Sequence, residues 1–341
     1  MDLLNKLPMP DDMEKEEIVQ LLLKEEYGFL PKGKTEVSAE LLEADEKFCA
    51  GKAVLNKLRL NCRGEFGEFS FPVMYSKNLS EGKKPCFIHI NFRPDVPDRY
   101  QPTEELIDAG YSVLSFCYKD VTSDDGDFTN GLAGVIYPDG ERGEYDCGKI
   151  GLWAWAAMRV MDYAQTLPEI DKSKITVVGH SRLGKTALLT GMLDERFYCA
   201  VSNDSGCSGA ALARENYGET IEDICQRFPY WFNKHYLKYV NNEEELPFDQ
   251  HHLVAANYPH LVYIASAEGD EWACPKNEYL SAVASSRYYE KRGKKGFVHP
   301  ERLAKTDDCF HDGCIGYHIR PGKHYLSRED WLKYIEFLNK H

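Results

Sequence analysis

The sequence predicts an α/β fold in which a mainly parallel central sheet carries helices on both faces, a three-layer αβα sandwich. Short, nearly continuous apolar runs recur along the chain, and segments of helical length and pattern separate several of them. Strands that are buried on both faces consist of such continuous runs, whereas strict alternation is typical of a sheet with one solvated face. The alternation of buried strands with helices therefore favours a doubly covered parallel sheet.

The individual elements can be assigned in chain order. Five apolar runs predict buried strands: CFIHINF (86–92), YSVLSFCY (111–118), ITVVGH (175–180), CAVSND (199–204) and LVYIASA (261–267). Two segments predict helices between them: TEELIDAG (103–110) and LWAWAAMRVMDYAQTL (152–167). The segment 327–341 predicts a closing amphipathic helix with Ser327 as its N-cap and with Glu329 and Asp330 in the first turn.

The chain before these strands is predicted to lie at the periphery. Residues 1–50 are charged and 13–28 are amphipathic, so we expect an N-terminal helical extension packed on the rest. The alternating runs 53–62 and 67–76 predict an antiparallel hairpin at a sheet edge. The sequence contains no internal repeat and no low-complexity linker, so we expect residues 1–341 to form a single α/β domain.

Composition limits the possible partners and the compartment. The net charge of −14 argues against a protein that binds nucleic acid backbones, which require neutralising Lys and Arg. The first residues lack the pattern of a secretion signal, and no run approaches the ~18 apolar residues of a membrane span. Eleven scattered cysteines are typical of reduced thiols. We expect a cytoplasmic protein without nucleic acid or membrane partners; the sequence does not indicate an oligomeric state.

The stretch GHSRLGKT (179–186) fits two patterns at once. It matches G-x-x-x-x-G-K-[ST], the phosphate loop of nucleotide hydrolases. It also places Ser181 between a strand and a helix, as G-x-S-x-G does in α/β-hydrolases, although Leu183 stands where the second glycine belongs. Bulky His180 and Arg182 would crowd a phosphate loop, which normally follows the first strand of its domain. We therefore favour a nucleophile at Ser181 and keep a P-loop nucleotide-binding protein as the alternative.

The chain also supplies partners for a nucleophilic serine in the order that the α/β-hydrolase fold requires. In that fold an acid follows a late strand, and a histidine precedes the final helix. Asp204 ends one predicted strand, Asp270 follows the next, and His324 lies shortly before the closing helix. The residues predict a triad of Ser181, His324 and one or both aspartates, with His318 as the rival base.

The sequence resembles the glucuronoyl esterases, especially their bacterial branch, from about residue 85 onward. The resemblance rests on these motifs: GHSRLGKTALL, DERF, NDSG, ALARENYGET, LPFDQHHL, SAEGDEWACP and GYHIRPGKH. Family members carry G-x-S-R-x-G-K, which accounts for the displaced glycine. The resemblance implies an α/β-hydrolase with a serine mechanism and no cofactor, which cleaves esters of 4-O-methylglucuronic acid on xylan or its saccharides. An acetylxylan esterase or other small carboxylesterase with the same triad is the alternative.

The resemblance further implies roles for individual residues. Arg182 matches an arginine that helps to hold the oxyanion, and Lys185 matches a lysine that binds sugar hydroxyls. Glu219 corresponds to a glutamate on the glucuronate hydroxyls, and Trp272 to a tryptophan that lines the sugar pocket. The family places its acid either at the position of Asp204, usually as Glu, or one strand later, so we expect both aspartates near the histidine.

Other polar clusters are expected to be structural. His251 and His252, and the group Cys309, His311, Cys314 and His318, lack the paired spacings of a structural zinc site. The acidic loop 119–131 is interpreted as a solvated surface loop, with a cation site as the alternative. We therefore predict no metal site.

Overall fold

The structure, a computed structural model, describes residues 2–341. All ten strands of the described chain form one sheet, in the order β1-β2-β3-β5-β4-β6-β7-β8-β10-β9. The strands are β1 (Thr35–Asp45), β2 (Ala53–Gly64), β3 (Gly67–Asn78), β4 (Lys84–Asn91), β5 (Ser112–Cys117), β6 (Ile170–His180), β7 (Cys199–Asn203), β8 (Leu261–Ala267), β9 (Cys309–Phe310) and β10 (Ile315–Arg320).

The helices come before, between and after these strands. They are α1 (Lys15–Leu22), α2 (Phe48–Gly51), α3 (Thr103–Asp108), α4 (Tyr118–Val121), α5 (Gly131–Ile136), α6 (Lys149–Ala164), α7 (Arg182–Leu193), α8 (Ile221–Arg227), α9 (His251–Ala255), α10 (Pro275–Lys291) and α11 (Arg328–Lys340). Short 3₁₀ turns occupy Asp2–Lys6, Lys234–Tyr239, Glu243–Glu245 and Glu271–Ala273, and a π-helical turn occupies Leu23–Tyr27. Among residues 2–341, no helix has the length and apolar character needed to cross a membrane.

The central strands are parallel and covered on both faces, which confirms the predicted α/β-hydrolase fold class. β5, β4, β6, β7, β8 and β10 pair in parallel. Successive side chains of a strand point to opposite faces. On β4, Phe87 packs in a cluster with residues of α11, whereas its neighbour Ile88 belongs to the cluster of α6, α7 and α10. Continuous apolar runs are the consequence of these two cores.

The N-terminal segment differs from the prediction of a helical extension over residues 1–50. The first helical stretch ends at Tyr27, residues 35–45 form β1, which pairs antiparallel with β2 from Thr35↔Gly64 to Asp45↔Leu55, and only the short α2 follows before β2. The residues of TEVSAELLEAD have good helix propensity, but a ladder of backbone hydrogen bonds to β2 decides the conformation. The predicted hairpin is present as β2 and β3, one strand in from the edge that β1 occupies.

The turn between β6 and α7 places Ser181 in an unusual backbone conformation. β6 ends at His180, α7 begins at Arg182, and Ser181 has φ 58° and ψ −129°. A non-glycine residue with positive φ is strained, and such strain occurs at functional sites. The turn is so tight that a Cβ on Gly179 would lie 1.9 Å from the carbonyl oxygen of Leu183. Gly179 is therefore the glycine that the turn requires.

We predict that Gly179→Ala lowers the free energy of unfolding by about 3 kcal/mol, because the added methyl group cannot fit without moving the backbone of the turn. Gly126→Ala is the control, since a Cβ there meets nothing within 4 Å and its φ is not positive. The control should stay within about 0.5 kcal/mol of wild type in chemical denaturation. Equal stabilities for the two variants would contradict this account of the turn.

Candidate active site

Ser181 opens onto a cleft at the carboxyl ends of the parallel strands. The cleft has a volume of about 170 Å³. Its walls come from residues of several loops and of α7 and α8: Ser181, Arg182, Lys185, Asp204, Ser205, Gly206, Glu219, Arg227, Phe228, Trp231, Trp272, Ala273 and His324. Seven of the eight residues predicted from the sequence for catalysis or substrate binding line this cleft. The eighth, Asp270, does not line it but contacts His324.

His324 is held by Asp270. Its Nδ1 lies 2.6 Å from Oδ2 of Asp270, whose side chain is only 4% exposed, whereas the imidazole is 42% exposed. The ring also lies against His180, with 4.4 Å between the ring centroids. A carboxylate on Nδ1 fixes the tautomer with a lone pair on Nε2, the nitrogen that acts as base in serine hydrolases. The arrangement is that of a base and its orienting acid.

Asp204 has different partners. Its Oδ1 accepts from the backbone N–H of Ala267 at 2.8 Å, and its Oδ2 lies 3.4 Å from Nη2 of Arg320 and 3.4 Å from the backbone nitrogen of Tyr325. Burial, with the neighbouring carboxylates of Glu278 and Asp270, raises the pKa of Asp204 well above its usual range. Asp204 is within 4.8 Å of the Asp270–His324 group but is not hydrogen-bonded to the imidazole. It supports the segment that carries His324.

The rival base His318 lies inside the protein. Its Nε2 is 2.9 Å from Oδ1 of Asp330, and its Nδ1 is 3.0 Å from the hydroxyl of Tyr263. Asp330 also accepts from Nε of Arg320, with 2.9 Å to each carboxylate oxygen. Both ring nitrogens of His318 are engaged and the ring is buried. His318 is therefore part of the support beneath Asp204, and neither of its ring nitrogens is free to act as a base.

The side chain of Arg182 is clamped beside the nucleophile. Its Nη1 donates to Oδ2 of Asp124, and its guanidinium carbon lies 4.7 Å from the ring centroid of Trp231 and 5.2 Å from that of Phe228. Its buried Nε has no hydrogen-bond partner among the described residues. Sequence reasoning missed Asp124, Phe228 and Trp231; the only signal was the acidic loop 119–131, which was assigned to solvent.

The residues expected to bind sugar form a connected group. Glu219 Oε2 lies 3.0 Å from Nζ of Lys185, and Glu219 Oε1 lies 3.3 Å from Nε1 of Trp272. Lys185 is 2% exposed, and its ammonium also donates to the carbonyl oxygens of Ser205, at 2.7 Å, and Cys207. All three donors of Lys185 are thus engaged, which differs from a lysine with a free donor for a sugar hydroxyl. Trp272 is 41% exposed and presents its ring at the cleft.

The position of Lys185 also removes the phosphate-loop alternative. A phosphate-loop lysine must extend to a bound phosphate, and the preceding loop must offer backbone amides to it. Here the ammonium is buried against two carbonyl oxygens and Glu219, and helix α7 begins directly at Arg182. There is no loop between Ser181 and the helix to surround a phosphate group.

Glu278 lies buried beneath the loop that follows β7. Its Oε1 accepts from the backbone N–H groups of Ser205, at 2.8 Å, and Gly206, at 3.0 Å, and its Oε2 accepts from the hydroxyl of Ser266 at 2.6 Å. Burial raises the pKa of Glu278 from 4.5 to about 7. This carboxyl group holds the backbone that carries Asp204 and that provides the Ser205 carbonyl to Lys185.

The polar clusters outside the cleft are mostly occupied by the protein itself. His251 and His252 are buried, with ring nitrogens 2.8 Å from the carbonyl oxygen of Pro8 and 3.2 Å from that of Asp249. Of the four residues weighed as zinc ligands, only Cys309 and His311 converge, together with Glu336. Within residues 2–341, the other group with metal-ligand spacing is Asp204, Asp270 and His324, which is the candidate catalytic group itself.

The two aspartates should differ strongly in their effect on catalysis. Asp270→Asn removes the negative charge that faces Nδ1 of His324 and should lower kcat for an ester by about 10³–10⁴-fold. Asp204→Asn should lower kcat by about tenfold, because Asp204 contacts backbone groups and Arg320 rather than the imidazole. Steady-state kinetics on both purified variants make the comparison. A larger loss for Asp204→Asn would assign the orienting role to Asp204 instead.

The buried Glu278 should make stability depend on pH. Its pKa in the folded protein, about 7, exceeds the value of 4.5 expected when it is exposed. The folded state therefore binds the proton more tightly than the unfolded state, which adds on the order of 3 kcal/mol to the free energy of unfolding. This stabilisation is fully present below about pH 4.5 and is lost as the pH rises through 7. Glu278→Gln keeps the acceptor oxygen and should flatten unfolding free energy between pH 5 and 7.5. An unchanged pH slope in the variant would rule Glu278 out as the cause.

Comparison with known proteins places this geometry in a family. The family model described as fungal glucuronyl esterase matches residues 60–293. The chain is 33% identical to carbohydrate esterase MZ0003 from an unknown prokaryotic organism, over 97% of this chain and 85% of that protein.

Two solved structures are similar over 97% of this chain and 92% of their own. One is a promiscuous CE15 esterase from the marine bacterial metagenome, with a TM-score of 0.88 and 30% identity. The other is the glucuronoyl esterase from Solibacter usitatus, with a TM-score of 0.87 and 28% identity. The family model covers more than half of the chain, and both structural matches cover nearly all of it. The chain belongs to the glucuronoyl esterases, a family of carboxylic ester hydrolases with the α/β-hydrolase fold.

Proposed function

We propose that this protein cleaves esters of glucuronic acid, or of its 4-O-methyl derivative, in xylan-derived saccharides. The observation that carries the proposal is a single cleft that combines the strained Ser181, the Asp270–His324 pair and the linked side chains of Glu219 and Trp272. The first two features provide ester hydrolysis, and the third provides a polar and an aromatic contact for a sugar ring. The substrate is a small molecule or an oligosaccharide.

In the proposed mechanism Ser181 attacks the ester carbonyl while Nε2 of His324 takes its proton. Asp270 stabilises the imidazolium that forms. The backbone N–H of Arg182 lies in the first turn of α7, where amides lack intrahelical acceptors, and it faces the developing oxyanion together with the guanidinium. Collapse of the tetrahedral intermediate expels the alcohol, which receives the proton from His324. Water then hydrolyses the acyl-enzyme by the same steps and releases glucuronate.

The sugar ring would be recognised on the acid side of the ester. Trp272 offers an apolar ring face, which suits the C–H face of a pyranose, while its N–H is engaged by Glu219. Glu219 offers a carboxylate to ring hydroxyls. Because all three donors of Lys185 are engaged, we propose that Lys185 acts through Glu219 by fixing and charging that carboxylate, in place of direct contact with the sugar. The alcohol points out of the cleft, so its identity is weakly selected.

An acetylxylan esterase activity is the second candidate, because one similar structure is of an esterase described as promiscuous and the same catalytic group would serve a small acyl ester.

The cytoplasmic location stays a proposal, supported by the absence of any disulfide among the eleven cysteines, of which eight are buried.

The direct test compares benzyl glucuronate with acetylated xylan oligomers as substrates. We expect a higher kcat/KM for benzyl glucuronate, and a loss of several orders of magnitude in Ser181→Ala with the fold unchanged by circular dichroism. Preference of the wild type for acetylated oligomers would replace this proposal with the second candidate. Retention of more than a tenth of the activity by Ser181→Ala would exclude the serine mechanism.

Substrate recognition should separate from catalysis in two further variants. Glu219→Gln should lower kcat/KM for benzyl glucuronate by about 10–100-fold, the value of one charge-assisted hydrogen bond. Trp272→Ala should cost at least as much by removing apolar cover from the ring. Both should change kcat/KM for p-nitrophenyl acetate by less than threefold, because acetate is too short to reach either side chain.

Tyr217→Ala is the matched control for Trp272→Ala, since Tyr217 is an exposed aromatic residue outside the cleft lining. It should leave kcat/KM for both substrates near the wild-type value. If Glu219→Gln and Trp272→Ala lower kcat/KM for the two substrates by the same factor, these residues support the catalytic group and do not bind the sugar.

A further inference from the structure

The acidic loop 119–131 lies against the cleft and is held by a buried lysine. Lys149, the first residue of α6, is fully buried. Its ammonium donates to Oγ1 of Thr122 at 2.9 Å and to the carbonyl oxygen of Asp127 at 2.6 Å, and it lies 4.5 Å from the ring centroid of Phe128. The lysine thus joins the two ends of the segment 122–127. The positive charge within the acidic loop, for which the sequence analysis kept a bound cation as the alternative, is here the ammonium group of Lys149.

Asp124 lies between the two points that Lys149 ties together. Its side chain is 6% exposed, and both carboxylate oxygens are engaged. Oδ1 accepts from Nε1 of Trp231 at 2.8 Å, and Oδ2 accepts from the hydroxyl of Tyr118 at 2.9 Å and from Nη1 of Arg182. Three donors from three separate segments of the chain, namely α4, α7 and the loop after α8, therefore converge on this carboxylate and fix its orientation.

The guanidinium of Arg182 is consequently fixed by one hydrogen bond and by an aromatic pair, and its Nε remains without a partner in the described chain. Nη1 donates to Asp124, and the guanidinium carbon lies 4.7 Å from the ring centroid of Trp231 and 5.2 Å from that of Phe228, which are stacked on each other. Nε is buried and has no acceptor among residues 2–341. Buried hydrogen-bond donors in folded proteins are almost always paired. An unpaired N–H beside the proposed nucleophile therefore indicates that its acceptor is an atom of the bound substrate. The oxyanion formed on attack by Ser181 is such an acceptor.

We propose that Asp124 is a positioning residue: held in its loop by Lys149, it aims the Arg182 guanidinium at the oxyanion. The inference rests on the proposed serine esterase function. It assigns the acidic loop a role in transition-state stabilisation, with Asp124 acting only through Arg182. A substitution of Asp124 should therefore lower kcat while KM changes little, since the oxyanion exists only after attack.

A double-mutant cycle tests this dependence, with kcat for p-nitrophenyl acetate as the readout. Arg182→Ala should lower kcat by about 10²–10³-fold, as loss of an oxyanion donor does. Asp124→Asn keeps an acceptor for Trp231 and should lower kcat by about tenfold or more in wild type. In the Arg182→Ala background it should change kcat by less than twofold, because residues that act through one another are not additive.

Lys149→Met should follow the same pattern as Asp124→Asn, with a loss in wild type that largely disappears when Arg182 is absent. Asp120→Asn is the control: Asp120 is an exposed carboxylate of the same loop that makes no hydrogen bond to Arg182, so this variant should keep wild-type activity. Added guanidinium ion should restore part of the kcat of Arg182→Ala and restore less in the double variant that lacks Asp124. Equal rescue in both would overturn the proposal.

The outcomes separate this inference from the proposed function. An equal loss on Asp124→Asn in both backgrounds, or no loss in wild type, would overturn the positioning role while Ser181 remains the nucleophile. The cycle is repeated on the rate at which a fluorophosphonate labels Ser181, which requires no particular acyl substrate. A wild-type Ser181 inert to both reagents would overturn the proposed function and this inference with it, and any variant that fails to fold is recognised by its circular dichroism spectrum.

Discussion

The close approach of Gly179 to the backbone of Leu183 is the constraint on which the rest of the site depends. It closes the turn from β6 to α7 so tightly that Ser181 is forced to a positive φ at the carboxyl end of a central strand. The same turn fixes the start of α7, and the helical register then determines where Arg182 and Lys185 project. The proposed nucleophile, the arginine proposed for the oxyanion and the lysine beneath Glu219 are thus placed by one local backbone geometry.

Buried charge organises the other wall of the cleft. Three carboxyl groups, those of Asp204, Asp270 and Glu278, lie close together, and Arg320 is the cation that reaches Asp204. Burial disfavours the charged form and the neighbouring carboxylates add repulsion, so the pKa values of Asp204 and Glu278 are raised. Asp270 contacts the half-exposed His324, with 2.6 Å between Oδ2 and Nδ1, and is the proposed partner of that proposed base. The acids farther inside bind backbone N–H groups and fix the loops.

The parallel strands β4 to β8 were predictable from the sequence because each of them is apolar on both faces. Three strands were not predicted as strands: β1, the two-residue β9 and β10. β1 has a helix-favouring composition, and only its partner β2 makes it extended. β10 contains His318 and Arg320, which are buried in polar contacts with Asp330, so the run does not look like a core strand.

The candidate site divides in the same way. Ser181 and His324 could be chosen from their order and from the strand ends, because the α/β-hydrolase fold brings such positions to one edge of the sheet. The order alone left Asp204 and Asp270 both open as the acid. The sequence could not show that all three donors of Lys185 are engaged, or that Arg182 is held by Asp124 and Trp231. Both arrangements depend on contacts between segments far apart in the chain. Asp124 is 58 residues from Arg182, and nothing local to either residue encodes their pairing.

The central claim is that this cleft receives a glucuronate ester with its acid side inward and its carbonyl at Ser181. A crystal structure of the Ser181→Ala variant soaked with methyl glucuronate tests it most directly. The account predicts the sugar ring against Trp272 with hydroxyls on Glu219, the carbonyl oxygen on the Arg182 side, and the methoxy group toward solvent. A ring bound in the opposite direction, or an empty cleft at saturating ligand, would contradict it.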